Sequence, residues 1–233
     1  MHINHTKYFE IVKEAGAAGA SLVAVSKTKP PEAIKELYDL GQRDFGENYV
    51  QELVDKQAAL PKDIRWHFIG HLQSNKIKYI APFVHLIHGI DSLKLLREVD
   101  KQAKKANRII DVLLQVHVAQ EETKFGFDEN ELKELLNTKE KQEYPNTHVS
   151  QSLLELKAIK IIGLMGMASF SDAESLIRSE FKKLKIIYDD HVKHPTPSLN
   201  FQTLSMGMSG DYKIALEEGS TMIRIGSLLF GKR

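Results

Sequence analysis

The chain of 233 residues is 42% hydrophobic and carries 32 Lys and Arg against 31 Asp and Glu, a net charge of +1. That length can bury a sizeable core, and the charge balance gives no footing for a nucleic-acid or acidic-membrane partner. The absence of cysteine excludes disulfides, thiolate catalysis and Cys-ligated zinc, and it fits a reducing compartment.

Residues 1–6 lack the basic segment and apolar core of a secretory leader, and no apolar stretch approaches membrane-spanning length. A cytoplasmic protein is therefore expected. Tyr8, Phe9, Ile11, Val12 and Ala15 predict an amphipathic helix that Gly16 and Gly19 end. In the stretch Ser21–Lys29 a short apolar run reads as a buried strand that ends on small hydroxyl residues flanking a lysine and is stopped by Pro30-Pro31. Lys27 lies near its carboxyl end. A helix follows from Glu32 to Leu40, then a very short strand over Gln42–Asn48 and a helix through Val50, Leu53, Val54 and Gln57. Ile64 to Gly70 is the third strand. A helix begins in His71–Lys76, with Ser74 as its cap.

The fourth strand is expected over Val84–Ile87, opening into a loop at His88-Gly89-Ile90-Asp91-Ser92. A helix at Leu93–Lys105 leads to the clearest strand, Arg108–Val118, and a helix at Glu129–Leu136. Residues 137–150 read as a polar surface excursion before a short helix at Leu153–Ala158. The sixth strand is Lys160–Met167, followed by a long helix from Ala173 to Tyr188 and a break at His194-Pro195-Thr196-Pro197. The seventh strand is Gln202–Ser205, with a helix from Tyr212 to Glu218. The eighth strand is Thr221–Gly226, and Ser227–Phe230 forms a last turn. No repeat, low-complexity tract or linker divides the chain, so residues 1–233 are expected to be one domain. Eight alternations predict an α/β fold of the (β/α)8 TIM-barrel type with an extra N-terminal helix. An open doubly wound sheet has the same periodicity and stays an alternative.

In parallel α/β folds the chemistry gathers at the carboxyl ends of the strands. A lysine there is either a solvated surface residue or an amine that condenses with an aldehyde or ketone. The loops after strands seven and eight favour the second reading. Ser205, Ser209, Gly207 and Gly210 offer hydroxyls and close backbone approach to an anion, and Arg224, Gly226 and Ser227 offer a guanidinium, a glycine and a hydroxyl. Together they imply a ligand with both a phosphate and a carbonyl, for which pyridoxal 5'-phosphate (PLP) is the obvious candidate. Lys29 and Arg224 are the candidate charges for lowering the Lys27 pKa. Asn48 follows Gly46, whose missing side chain leaves room for a flat ring, and is read as a ring contact. Glu47, His71, Gln73, Asn75, His88, Asp91 and Ser92 are read as loop caps at the same mouth. The pairs His67/His71 and His85/His88 lack a third ligand of convincing spacing, so no metal site is expected.

At these residues the chain resembles the pyridoxal phosphate homeostasis protein family, whose fold is like the N-terminal barrel domain of alanine racemase. The matching blocks are residues 24–29 (AVSKTK), 45–52 (FGENYVQE), 66–70 with 72–76 (WHFIG, LQSNK), 163–165 (GLM), 204–209 (LSMGMS), and 219–221 with 223–226 (GST, IRIG). The resemblance implies that Lys27 carries the cofactor as an imine and that Arg224 approaches the pyridine nitrogen. It also implies that Ser205, Ser209, Gly226 and Ser227 surround the phosphate and that Asn48 lies beside the ring. The segment before the first strand is shorter than is usual in the family, and residues 137–150 are extra.

The function expected is a non-catalytic PLP-binding protein of intracellular PLP homeostasis that holds or delivers the cofactor, with PLP-dependent apo-enzymes as acceptors, and a monomer. The alternative is an enzyme, either an amino-acid racemase or a lysine-imine aldolase. A plain interaction module explains neither the lysine nor the phosphate loops. Racemisation needs a base on each face of the imine. In alanine racemase the second base is a tyrosine from another domain, and here only Tyr49 and Tyr212 fall near mouth loops.

Overall fold

The computed structural model describes residues 3–120, 125–136, 153, 155–193 and 199–231. Helix α1 (His5–Ala17) precedes β1 (Ser21–Val25). Then come α2 (Pro31–Asp39), β2 (Asp44–Glu47), α3 (Val50–Ala59) and β3 (Arg65–Phe68). A three-residue 3₁₀ turn (Ser74–Lys76) runs into α4 (Ile77–Ile80), followed by β4 (Leu86–Ile90), α5 (Leu93–Lys105), β5 (Ile110–Gln115) and α6 (Glu129–Leu136). The chain continues through β6 (Ile159–Met165), α7 (Glu174–Lys193), β7 (Leu199–Ser205), α8 (Tyr212–Glu217), β8 (Met222–Ile225) and α9 (Ser227–Phe230). Each strand pairs in parallel with the next, and β8 pairs back onto β1. The sheet is a closed (β/α)8 barrel, which removes the open-sheet alternative.

Local chemistry explains the elements. Leu22, Val23 and Ala24 are all buried in β1. Pro30-Pro31 then pre-sets φ for the start of α2, which buries Ala33, Ile34 and Leu37. In α5, Ser92 Oγ accepts from Leu95 N–H at 3.3 Å, and Lys104 and Lys105 sit where the helix dipole favours cations. Most apolar residues join one large core, in which Ile34, Leu53, Leu96 and Phe181 of the helices pack with Phe45, Trp66 and Val112 of the strands. A second, small cluster of Leu86, Leu113 and Met165, with Ile162, Met167 and Met222 against it, fills only part of the lumen. Helix α1 packs on β1 and α9, and Asn4 N–H donates to Leu229 O at 3.0 Å. No helix among the described residues is long and apolar enough to cross a membrane.

Two boundaries differ from the sequence reading. Strand β4 runs on to Ile90, so His88 is a fully buried strand residue rather than a loop cap. Ser74 opens the 3₁₀ turn instead of capping a helix. Of the short helix expected over Leu153–Ala158, Leu153 is helical and accepts from Leu156 N–H at 3.2 Å. The expected excursion over 137–150 and the break at 194–197 lie outside the described residues.

Candidate functional site

A cavity of about 340 Å³ opens at the carboxyl ends of the strands, and its lining includes Lys27, Asn48, Ser209, Arg224, Gly226 and Ser227. Six of the seven residues singled out from the sequence thus meet at one place. The seventh, Ser205, is fully buried and is not among the lining residues. It sits behind Arg224 and accepts from its Nη1 at 2.6 Å. A phosphate contact does not match that position, because the hydroxyl faces the arginine and the lumen.

Lys27 rides on a turn that Lys29 N–H closes onto Ser26 O at 3.0 Å. Thr28 within it has φ +62°, a left-handed conformation that costs a β-branched residue on the order of 1–3 kcal/mol. The turn is gripped from both sides of Lys27. Ser26 Oγ donates to Glu47 Oε1 at 2.6 Å, and Thr28 N–H donates to Glu52 Oε1 at 2.6 Å. Lys56 Nζ ties both carboxylates together at 2.7 Å each and also donates to Ser26 O at 2.8 Å. Lys56 and Glu52 escaped the sequence reading. Their only signal was the i,i+4 acid–base spacing on α3, which usually marks a solvated face. Here Lys56 is buried, and burial raises the Glu47 pKa against the pull of that lysine. Lys29 Nζ donates to Phe230 O at 3.0 Å and Gly231 O at 3.3 Å, so its charge caps α9.

Asn48 follows β2, and its Oδ1 is buried without a hydrogen-bond partner. A Cβ on Gly70 would run into the Asn48 carbonyl oxygen and come within 2.8 Å of its Cα, so only glycine there leaves Asn48 in place. The space beside Gly46 is taken by Val23 and Ile69, at 3.0 and 3.1 Å from where a Cβ would stand. It does not make room for a ring. Ser209 Oγ accepts from Gly226 N–H at 3.3 Å, which joins the two glycine-containing loops.

Arg224 is 4% exposed. Its Nη2 donates to Gly166 O at 3.1 Å, and no carboxylate lies within ion-pair distance among the described residues. Burial lowers its pKa to about 10, partly opposed by Asp211, so it stays charged at neutral pH.

Other expected residues lie elsewhere. His71, Gln73, Asn75, Asp91 and Ser92 line a separate hollow of about 540 Å³, where His71 stacks on Phe125 at 4.1 Å. Tyr212 donates its hydroxyl to Glu14 Oε2 at 2.7 Å, and Tyr49 is largely exposed; neither lines the cavity. The histidines pair differently from their spacing. His67 meets His85 and His88 at ring distances of 5.4 and 5.2 Å. Asp44 supplies a third potential ligand atom beside His67 and His85, all within 4.8 Å, a grouping missed because it depends on strand register. Both Asp44 oxygens already accept from the Arg65 fork, at 2.7 and 2.5 Å.

Residues 7–233 match the family described as alanine racemase, N-terminal domain. That sets the class of this barrel and of its carboxyl-end site. A pyridoxal phosphate homeostasis protein of Aquifex aeolicus (strain VF5) is 43% identical over 215 residues, covering 92% of this chain and 87% of its own. PipY of Synechococcus elongatus PCC7942 is 33% identical and has been solved without PLP (TM-score 0.83, covering 97% and 99%) and with PLP bound (TM-score 0.78, covering 95% and 100%). The chain belongs to the pyridoxal phosphate homeostasis protein family.

Two outcomes follow from this geometry. Lys56→Met leaves two carboxylates beside Ser26 without their shared cation, and breaking a buried pair costs about 3–5 kcal/mol. Urea unfolding is expected to read a loss of that order, and a loss below about 1 kcal/mol would mean the grip is a surface-like interaction. The second outcome concerns pH. Burial, with the charges of His67, Arg224 and His85, holds the His88 pKa well below the imidazole range. The unfolded chain takes up a proton near pH 6.5 that folded His88 refuses. Stability therefore falls as pH drops below that value, by up to about 1.4 kcal/mol per unit. His88→Gln is expected to flatten the slope of urea midpoints against pH between about 7.5 and 5.5. An unchanged slope would show that His88 titrates alike in both states.

Proposed function

We propose that the chain, acting as one barrel domain and as a monomer in the cytoplasm, binds PLP at this cavity and holds it for delivery to apo-enzymes. The name of the Aquifex relative and the PLP bound in PipY support PLP as the ligand. The residues present fit such a group. The cavity falls within the roughly 300–1,000 Å³ usual for small-molecule sites. Asn48 Oδ1 is a buried acceptor still waiting for a donor, and Arg224 uses two of its five N–H groups among the described residues. The Ser209 and Ser227 hydroxyls are donors suited to a phosphate.

When bound, PLP supplies an aldehyde and an electron-poor ring. In this reading Lys27 would hold the cofactor covalently and reversibly, its amine being a group that condenses with an aldehyde with loss of water. Arg224 would hold the ring nitrogen as a donor that keeps its own protons, a setting that disfavours protonation of that nitrogen and weakens the ring as an electron sink. The arginine without a carboxylate is the observation that carries the non-catalytic reading. A second one agrees with it. No tyrosine, histidine or carboxylate is among the described lining residues, and Lys29 is committed to the end of α9. Removal and return of an α-proton on two faces therefore lacks its second base.

Borohydride reduction of the PLP-loaded protein followed by peptide mass spectrometry is expected to place the cofactor mass on Lys27, and to lose it in Lys27→Ala. Mass on a different lysine would overturn the assignment. With either enantiomer of alanine in heavy water, α-proton exchange is expected well below the enzyme range of about 1 s⁻¹ or faster; exchange at that rate would restore the racemase.

A further inference from the structure

Five polar side chains join hands across the lumen. Arg224 Nη1 donates to Ser205 Oγ at 2.6 Å, and Ser205 Oγ lies 3.2 Å from His88 Nδ1. His88 Nε2 is 2.9 Å from His67 Nδ1, and His67 Nε2 is 3.0 Å from Asp44 Oδ1. Strands β4 and β7 are not neighbours in the barrel, so the His88–Ser205 bond must cross its interior. The chain runs from Asp44, at the start of β2, to Arg224, near the end of β8 on the cavity wall.

Its direction is forced by chemistry. A guanidinium only donates and an ionised carboxylate only accepts. Burial pushes the Asp44 carboxyl up, but hydrogen bonds and charge from Arg65 and His67 outweigh it and keep it ionised well below the usual range. Between these ends each group has one proton to give. Arg224 already donates into Ser205, so the serine hydroxyl must give its proton to His88 Nδ1. His88 then carries its own proton on Nε2 and gives it to His67 Nδ1. His67 in turn carries its proton on Nε2 and gives it to Asp44. A single proton too many at the Asp44 end would reverse the two histidines. Ser205 would then receive two donors, and its own hydroxyl proton would be left without an acceptor beside Arg224. The other charges facing this column are Asp211, which acts on Arg224, Arg65 on β3, His85 before β4 and Asp111 on β5.

We propose that Asp44, His67, His88 and Ser205 form a one-way hydrogen-bond relay that fixes the orientation of Arg224, with His88 as its central positioning residue. The relay is a property of the protein alone. Only its effect on ligand affinity rests on Arg224 meeting the PLP ring as read above. The column also accounts for two histidines buried in a lumen otherwise filled by leucine and methionine, where an apolar residue would pack without hydrogen-bonding constraints.

The test uses the whole chain with ¹⁵N-labelled histidine and no ligand. Nuclear magnetic resonance at neutral pH is expected to find both His67 and His88 protonated at Nε2 with Nδ1 bare, assigned through the signals lost in His88→Gln. A proton on Nδ1 of either ring, or on both nitrogens of one, would overturn the relay. The second arm measures PLP affinity. In His88→Gln the amide oxygen can accept from Ser205 and the amide nitrogen can donate to His67, so affinity should stay within about threefold. His88→Leu breaks the column and should weaken binding roughly tenfold, the loss typical of a hydrogen bond to a charged group. Wild-type affinity in His88→Leu would remove the positioning role. Absence of PLP binding by the wild-type protein would instead sink the proposed function, while the ring-nitrogen signals still decide the relay.

Discussion

A guanidinium buried without a carboxylate partner is costly, and much of the polar interior of this barrel answers that cost at Arg224. The nearest answers are neutral: a serine hydroxyl and the Gly166 carbonyl. A carboxylate placed there would have neutralised the arginine and taken up its donors. Neutral acceptors instead orient the fork while leaving its charge and its remaining N–H groups to the cavity. Asp211 supplies the anionic charge that partly opposes burial at Arg224, and Asp44 stands at the far end of the column, itself held by Arg65. Burial keeps His88, midway along the column, uncharged.

The lysine end of the cavity is built on the opposite plan. Lys27 sits in a strained turn over a buried ionic cluster, in which Lys56 bridges Glu47 and Glu52. The strain at Thr28 and the charge of Glu52 are matched by one short bond, Thr28 N–H to Glu52 Oε1. Bonds at Ser26 and Thr28 hold the turn on both sides of Lys27 and so fix where the lysine leaves the main chain. Lys29, two residues on, fastens the same turn to α9, so the first and last elements of the barrel wall move together. The cavity is thus lined by the lysine turn, by Arg224 and by Asn48, whose backbone is accommodated by the absence of a side chain at Gly70.

The sequence reading reached the barrel and six cavity residues because both are written locally. Short apolar strands, helix caps and hydroxyl–glycine loops each carry their signal within a few residues. What it missed depends on residues brought together by register. Ser205 looked like its neighbour Ser209, but strand alternation turns one inward behind Arg224 and leaves the other on the loop. His88 looked like a loop residue because Gly89 follows it. That glycine serves close packing instead, since a Cβ there would stand 2.9 Å from Gly70 O. Lys56 and Glu52 had the spacing of an exposed helical ion pair, and only the closed barrel shows that Lys56 is buried under the Lys27 turn with Glu52 half-buried beside it. Asp44, His67 and His85 are far apart in the chain and converge only through the β2–β3–β4 pairing.

The central claim is that an arginine, not a carboxylate, meets the ring of the bound cofactor. It is tested most directly by loading the protein with PLP labelled with ¹⁵N at the pyridine nitrogen and reading that nitrogen by nuclear magnetic resonance at neutral pH. A donor fork that keeps its own protons predicts an unprotonated, hydrogen-bonded pyridine nitrogen. A protonated nitrogen would contradict it, because a cation cannot accept from that proton, and the ring would then have to lie against another group.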